Sequence, residues 1–259
     1  MRKLLSAAVV LSLLFAGNAV AQQQIQITVE NLQPADGFYF TPVWLGVHDG
    51  NFDLFDPGSA ASAALELLAE EGDASGVSGD FASSANGQQQ VVANPAGFGG
   101  PPVFDPGQSE TRQFSLNASD RYLSYATMII PTNDSFFANG NPLAVELLDA
   151  SGTFTGDQVL EFSLADLWDA GTEENDTLGA PFSVNGGLAS TDTVRGVVAL
   201  GPDLSNVNGL ETPAGTTINF DNASTSPVLR ISISAAAVPE PSSASVLGLA
   251  TLGLSLIHI

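Results

Sequence analysis

The sequence predicts an all-β protein built as an antiparallel β-sandwich, and three observations lead to this fold class. Residues 25–29 alternate between apolar and polar side chains, which is typical of a strand with one buried face. Residues 122–130 form a mostly apolar run that ends at Pro131. Such a run is typical of a central strand that is buried on both faces. Stretches rich in Gly, Pro, Asn and Asp separate such segments, and short strands at this spacing favour a sandwich.

Further short segments complete the predicted set of strands. They cover residues 143–148, 159–164, 194–200, 216–220 and 228–234. The Gly-, Ser- and Asn-rich stretch 75–90 and the stretch 97–102 are predicted to be loops. Because the chain contains no Cys, a secreted domain of this length must rest on its core alone or on bound metal.

One helix is predicted over residues 60–71, which are rich in Ala, Leu and Glu. Ser59 or Ser62 can cap its first turn, and Gly72 can end it. Its apolar residues recur at helical spacing along one face, and they are Leu65, Leu68 and Ala69. We expect this face to cover one end of the sandwich.

The two ends of the chain predict export. Arg2 and Lys3 precede an apolar run over 4–16, and a small-x-small cleavage site ends at Ala21, so residues 1–21 are predicted to be a secretory signal peptide. Residues 22–237 then form the predicted folded domain, and residues 238–259 a separate tail. In this tail an apolar run over 244–257 is nearly long enough to cross a bilayer core as a transmembrane helix.

Pro239, Glu240 and Pro241 stand directly before that apolar run. The combination resembles the PEP-CTERM sorting signal of Gram-negative bacteria, in which a membrane protease of the exosortase type cuts near the motif. The resemblance implies delivery to the cell surface or the exterior, with membrane contact only through the tail before processing. The basic cluster that ends this signal is missing, and residues 254–259 match the translation of a widely used sequencing adapter, so we expect the tail to be truncated or artefactual from position 254.

Charge and residue usage narrow the function classes. The formal net charge is −22, from 28 acidic and 6 basic residues, and such a surface repels nucleic acid and anionic lipid. Outside the two ends of the chain there is no Lys, no Cys and a single histidine, His48, which excludes Cys nucleophiles, Schiff-base lysines and zinc sites with two histidines. We expect His48 to pack or to bond locally. A secreted carbohydrate-active enzyme with paired carboxylates stays open as an alternative.

Acidic residues collect in two predicted loops. Asp134 follows the long central strand, and the loop 169–176 holds four acidic residues together with Gly171. Carboxylates packed together repel one another, whereas Ca²⁺ takes about six to eight oxygen ligands and tolerates flexible geometry better than Mg²⁺ does. From the spacing alone two interpretations stay open, a Ca²⁺ site and a solvated acidic loop without an ion.

Several stretches resemble, in order, the spondin domain of the secreted F-spondin and mindin matrix proteins. They are the opening strand Ile-Thr-Val-Glu-Asn-Leu at 27–32, Pro-Val-Trp-Leu-Gly-Val-His-Asp at 42–49, the helix that ends at Asp73, Met-Ile-Ile-Pro-Thr-Asn-Asp at 128–134, and Asp-Ala-Gly-Thr-Glu at 169–173. The resemblance implies an eight-stranded antiparallel β-sandwich with one or two short helices. It also implies a Ca²⁺ ion held by Asp134, Asp169 and Glu173, where Glu173 replaces the Asp of the animal proteins.

The leading interpretation is therefore an exported, non-enzymatic, Ca²⁺-binding protein of the cell surface or extracellular matrix. Its expected role is adhesion, with an extracellular polysaccharide or a surface protein as partner, and Phe136 and Phe137 are candidates for an aromatic rim around the ion. Two alternatives are the carbohydrate-active enzyme and a structural matrix component without a specific ligand.

Overall fold

Alternation along the first strand shows how the sequence builds the sandwich. In the computed structural model, which describes residues 23–93, 102–177, 180–183, 194–221 and 224–236, β1 (Gln23–Asn31) buries every second side chain. Ile25, Ile27 and Val29 point inward and are completely buried, whereas the residues between them are half-buried. Full burial of each such side chain contributes about 1.5–3 kcal/mol. The strand predicted at 25–29 is thus confirmed.

The smaller of the two sheets contains four antiparallel strands. Its order is β5 (Ser109–Leu116), β1, β11 (Leu229–Ala235) and β8 (Gln158–Phe162). The pairing places Ile25 opposite Ala235 and Asn31 opposite Leu229, so the first and last described strands are neighbours. The predictions at 159–164 and 228–234 are confirmed to within two residues, whereas β5 was missed.

The larger sheet contains seven strands. Its order is β10 (Ala199–Leu200), β9 (Trp168–Asp169), β7 (Ser135–Ala138), β6 (Tyr122–Ile130), β3 (Val43–His48) and β4 (Gly87–Val92), with β2 (Tyr39–Phe40) also paired to β6. β6 is central and buried along almost its whole length, as predicted. The described residues thus hold eleven strands rather than eight, and three of the eleven have only two residues.

Two hydrophobic clusters cover the two faces of the larger sheet. The first lies between the sheets and includes Ile27 and Ile231 from the smaller sheet and Leu45 from the larger one. The second lies on the outer face and includes Trp44 and Phe136. The larger sheet is therefore buried on both faces at its centre, which explains the continuous apolar run of β6.

Two helices cover the outer face of the larger sheet. α1 (Ala63–Glu71) begins at Ser62, whose hydroxyl accepts a hydrogen bond from the Leu65 N–H at 3.2 Å, and it ends at Gly72. The predicted helix is confirmed, but its apolar residues pack on a sheet face rather than on an end of the sandwich. The prediction of a loop over 75–90 was wrong, because α2 (Ser75–Ser84) and β4 occupy it.

Three predicted strands are absent or shorter in the structure. Residues 143–148 and 216–220 form only isolated bridges, and of 194–200 only β10 is a strand. These segments lie in turns and loops in which single backbone hydrogen bonds replace a continuous ladder, for example from the Leu147 N–H to the Arg121 carbonyl at 2.6 Å. An apolar run of five or six residues does not by itself separate such loops from strands.

The two export segments lie outside the described residues. They are the predicted signal peptide 1–21 and the predicted tail 238–259. No helix in the part of the chain that the structure describes is long and apolar enough to cross a membrane. The transmembrane helix predicted in the tail stays a prediction.

Candidate functional site

Asp134 lies at the turn between β6 and β7. The Thr132 hydroxyl donates to the Ile129 carbonyl at 2.6 Å and accepts from the Ser135 N–H at 3.3 Å, which closes the turn. Asp134 precedes the first residue of β7, and its side chain is completely buried. A carboxylate removed from water in this way needs partners, because an uncompensated buried charge is costly.

The loop after β9 supplies partners to this carboxylate. β9 pairs with β7 and places Asp169 opposite Ser135, so the loop that follows passes over Asp134. The Asp134 Oδ2 atom accepts hydrogen bonds from the N–H groups of Thr172 at 3.0 Å and Glu173 at 3.2 Å. Strand pairing therefore brings together the two acidic motifs that are far apart in the sequence.

The loop takes its shape from Asp169 and Gly171. The Asp169 carboxylate accepts from the Gly171 N–H and from the Asn175 side-chain amide, each at 2.6 Å. Gly171 has a φ of 67°, and a Cβ at this position would lie 2.7 Å from backbone atoms of Val197. Glycine is required here both by the left-handed backbone and by the close approach of the neighbouring chain.

The second oxygen of Asp134 makes the site electrostatically unusual. Its Oδ1 atom is buried and has no hydrogen-bond partner among the described residues. The pKa of Asp134 is raised to about 7, first by burial and then by the negative charge of Asp169, although the two N–H groups of the loop partly oppose these effects. Within the described ranges, the arginines that form ion pairs do so with other acids. Among the described residues, none of these ion pairs involves Asp134 or Asp169, so their negative charges add at the site.

Glu70 is a contributor that the sequence did not reveal. It lies in the last turn of α1, shares a side-chain hydrogen bond with Thr172, and adds to the negative potential at Asp134. Burial raises the pKa of Glu70 as well. The sequence placed this residue on a helix, but only the docking of α1 against the sheet brings the end of the helix to the loop.

The predicted ligands are brought together only in part. Asp134 and Asp169 interact directly through their charges, and Glu173 is buried and bonded to Asp134 through its backbone. In the described part of the chain, however, no three His, Asp or Glu side chains form a ready metal-binding group. A divalent cation fits the donor chemistry, since it would satisfy the Asp134 Oδ1 atom and offset the repulsion from Asp169.

Other residues singled out in the sequence have structural places. His48 is completely buried, its Nδ1 accepts from the Gly50 N–H at 3.0 Å, and its Nε2 lies 3.0 Å from the Ser124 hydroxyl, so the prediction of local bonding is confirmed. Phe136 and Phe137 are also buried, which means that the proposed aromatic rim was wrong. Consecutive residues of a central strand face the two covered sides of its sheet, so neither ring reaches the surface.

Comparison with known proteins gives a family match. The family model Spondin_N matches residues 31–198, which is more than half of the chain. A search of curated proteins found no match. The matched range includes Asp134, Asp169 and Glu173 but stops before β11, which pairs with β1 in the smaller sheet.

Proposed function

Since the chain belongs to the Spondin_N family, we propose that it is an exported, non-enzymatic, Ca²⁺-dependent adhesion protein of the cell surface or extracellular matrix. Spondin-type domains are typically extracellular and occur in proteins of the matrix and adhesion type. The Ca²⁺ ion and the absence of catalysis are the finer parts of this proposal, and they rest on the geometry around Asp134.

The single observation that carries the Ca²⁺ proposal is the buried Asp134 carboxyl. Its Oδ1 atom has no partner among the described residues, and the nearby charge of Asp169 disfavours its ionisation. A divalent cation held by Asp134 and Asp169, with Glu173 as third ligand, would remove this conflict and link two loops of one sheet. Because the ion would bind only the folded state, it would stabilise the fold by an amount that grows with free Ca²⁺.

The same geometry supports a binding role over catalysis. A raised pKa beside a second carboxylate is also found in hydrolases, where the acid must contact the substrate. Asp134 is completely buried, and it does not line the cavity beside Gln33, the cavity beside Asn139 or the cavity beside Arg195. This favours an ion-holding carboxylate and weighs against a catalytic acid.

Calorimetric titration of Ca²⁺ into EDTA-treated protein tests the site. We expect one saturable site and a rise in melting temperature, both lost in Asp134→Asn and Asp169→Asn. Asp203→Asn is the matched control, since Asp203 is an exposed acid that accepts from the Ser205 N–H. Absence of binding up to about 10 mM Ca²⁺, well above the range of extracellular modules, would contradict the proposal.

We also propose that the protein leaves a Gram-negative cell through the secretory pathway and is processed at its tail by an exosortase-type protease. The support is the amino-acid pattern of residues 1–21 and of the Pro239–Glu240–Pro241 motif. Mass spectrometry of the protein recovered from outside the producing cell identifies its first and last residues. A first residue at Gln22 and loss of the apolar tail are the expected results, and an intact tail in the released protein would contradict them.

A further inference from the structure

A cavity lies at one end of the smaller sheet. It has a volume of about 370 Å³ and is formed by the turn after β1, the segment that leads into β11, and Leu164 after β8. This volume is in the lower part of the range of small-molecule sites, about 300–1,000 Å³. Its lining shares no residue with the group formed by Asp134, Asp169, Glu173 and Glu70.

Gln33 gives this cavity an unsatisfied hydrogen-bond donor. Its side chain lines the cavity and is only 7 % exposed, and its Nε2 atom has no hydrogen-bond partner within the described ranges. The side chain packs tightly against Gly37, where a Cβ would lie 2.5 Å from Oε1 and 2.7 Å from the Cβ of Gln33. Burying an amide N–H without a partner is unfavourable, so a ligand acceptor at this point would satisfy a group that folding leaves unpaired.

The rest of the lining combines acceptors with apolar walls. Asp36 and Asp221 supply carboxylates, and the Asn219 side-chain amide holds the Asp36 Oδ2 atom at 3.1 Å. Phe220 forms an aromatic wall, fixed by its contact with Phe38 at a centroid distance of 4.9 Å. No Lys, Arg or His belongs to the described lining. Anionic ligands are therefore disfavoured by both the cavity and the net charge of −22.

These groups restrict the chemistry of the ligand. A carboxylate accepts hydrogen bonds, whereas the Gln33 amide has an N–H group that requires an acceptor. An ammonium group supplies donors only, but a hydroxyl supplies both. Its carbon framework must also pack against an aromatic ring. We propose that this cavity binds one unit of a neutral, hydroxyl-rich pyranose sugar, with Gln33 donating to a sugar oxygen and the carboxylates accepting from sugar hydroxyls.

This site deepens the proposed adhesive function, because it names the class of polymer that the protein would contact. It does not depend on the Ca²⁺ site, since the two share no residue. Sugar binding is therefore measured in EDTA, so that loss of the proposed Ca²⁺ site and loss of the proposed sugar site are separate results.

The test uses saturation-transfer NMR and calorimetry with glucose, galactose, mannose and N-acetylglucosamine. We expect at least one of these sugars to bind saturably in EDTA. The Gln33→Met variant should bind this sugar with an affinity at least about tenfold lower. Because methionine removes the unpaired N–H at similar length, the melting temperature should not fall, and a merely structural role of Gln33 would lower it. Asp36→Asn is the second variant. Gln113→Met, on the exposed surface of β5, is the matched control and should bind as the wild type does.

Three results would overturn the proposal. The first is no saturable binding of any of the four sugars, and the second is binding that Gln33→Met and Asp36→Asn leave unchanged. The third is displacement of the sugar by n-butylammonium chloride together with insensitivity to Gln33→Met, which would make the cavity a cation site. Maltotetraose is incubated in parallel, and its cleavage would contradict a binding-only role and favour the carbohydrate-active enzyme.

Discussion

Replacing Asp134 by asparagine tests the electrostatics of the candidate site with little change of shape. In the folded protein the pKa of this carboxyl rises from 3.8 to about 7, mainly through burial. The rise corresponds to roughly 4 kcal/mol of unfolding free energy. Because folding raises the pKa, the folded state retains a proton that the unfolded chain releases. The contribution is thus fully present below about pH 4 and is lost as the pH rises to about 7.

Asparagine does not titrate, so it removes this pH dependence. Its oxygen can still accept from the Thr172 and Glu173 N–H groups, but its NH₂ group takes the place of the partnerless Oδ1 atom and costs about 1–3 kcal/mol. In EDTA we therefore expect Asp134→Asn to be less stable than the wild type by that amount near pH 4. Near pH 8 it should be more stable by about 1–3 kcal/mol.

Denaturant unfolding at several pH values in EDTA measures the difference between the two proteins, which cancels the titration of other groups. When the series is repeated with Ca²⁺, the wild type should again be more stable than the variant at pH 8. Asp203→Asn controls for the loss of one negative charge at an exposed position. Parallel pH profiles of the wild type and Asp134→Asn in EDTA would refute the reasoning, since Asp134 would then titrate alike in the folded and unfolded states.

Three further predictions concern stability. Gly171→Ala should lower the free energy of unfolding by several kcal/mol, whereas Gly58→Ala, where φ is 84° but no atom lies within 4 Å, should lower it by only about 1–2 kcal/mol. Equal losses in denaturant unfolding would contradict a tight contact at Gly171. Burial lowers the pKa of His48 below 6.5, so the contribution of this histidine to folding stability is present above that pH and is lost below it. The difference in melting temperature between the wild type and His48→Gln should therefore shrink on acidification, and a constant difference would contradict this. The Trp44 indole N–H donates to the Gln89 side chain at 2.7 Å, and Gln89→Leu removes this acceptor. The free energy of unfolding should fall by about 1–3 kcal/mol, and an unchanged value would show that another acceptor replaces Gln89.

Local patterns in the sequence were sufficient where one strand or helix determines its own burial. β1 alternates cleanly, β6 is apolar throughout, and α1 carries both its capping serine and its terminal glycine, so all three were predicted. α2 was missed because its Gly- and Ser-rich sequence has little helix propensity of its own. Two buried side chains hold it in place, and Phe81 packs against Trp44 at a ring-centroid distance of 5.4 Å. Such a tertiary contact cannot be read from a local window.

The candidate site was predictable only in part for a related reason. The family resemblance identified Asp134 and the loop that starts at Asp169, and the pairing of β7 with β9 brings them together. Neither the burial of Asp134 nor the position of Glu70 follows from spacing, because the loop after β9 contacts Asp134 and the packing of α1 on the sheet positions Glu70. The cavity at Gln33 was not predicted either, since it joins the turn after β1 to a segment almost two hundred residues later.

The neighbouring positions of β1 and β11 have a mechanical consequence. Residues 25 and 235 lie side by side at one end of the smaller sheet, and the cavity lies beyond the other end, where Asn31 faces Leu229. β11 spans about 20 Å between these two ends of the sheet. A molecule held at residue 236 and pulled by a ligand in the cavity would carry the load along the strand direction. Because β11 is flanked by β1 and β8, the hydrogen bonds on both of its sides would resist shear together, instead of opening one after another.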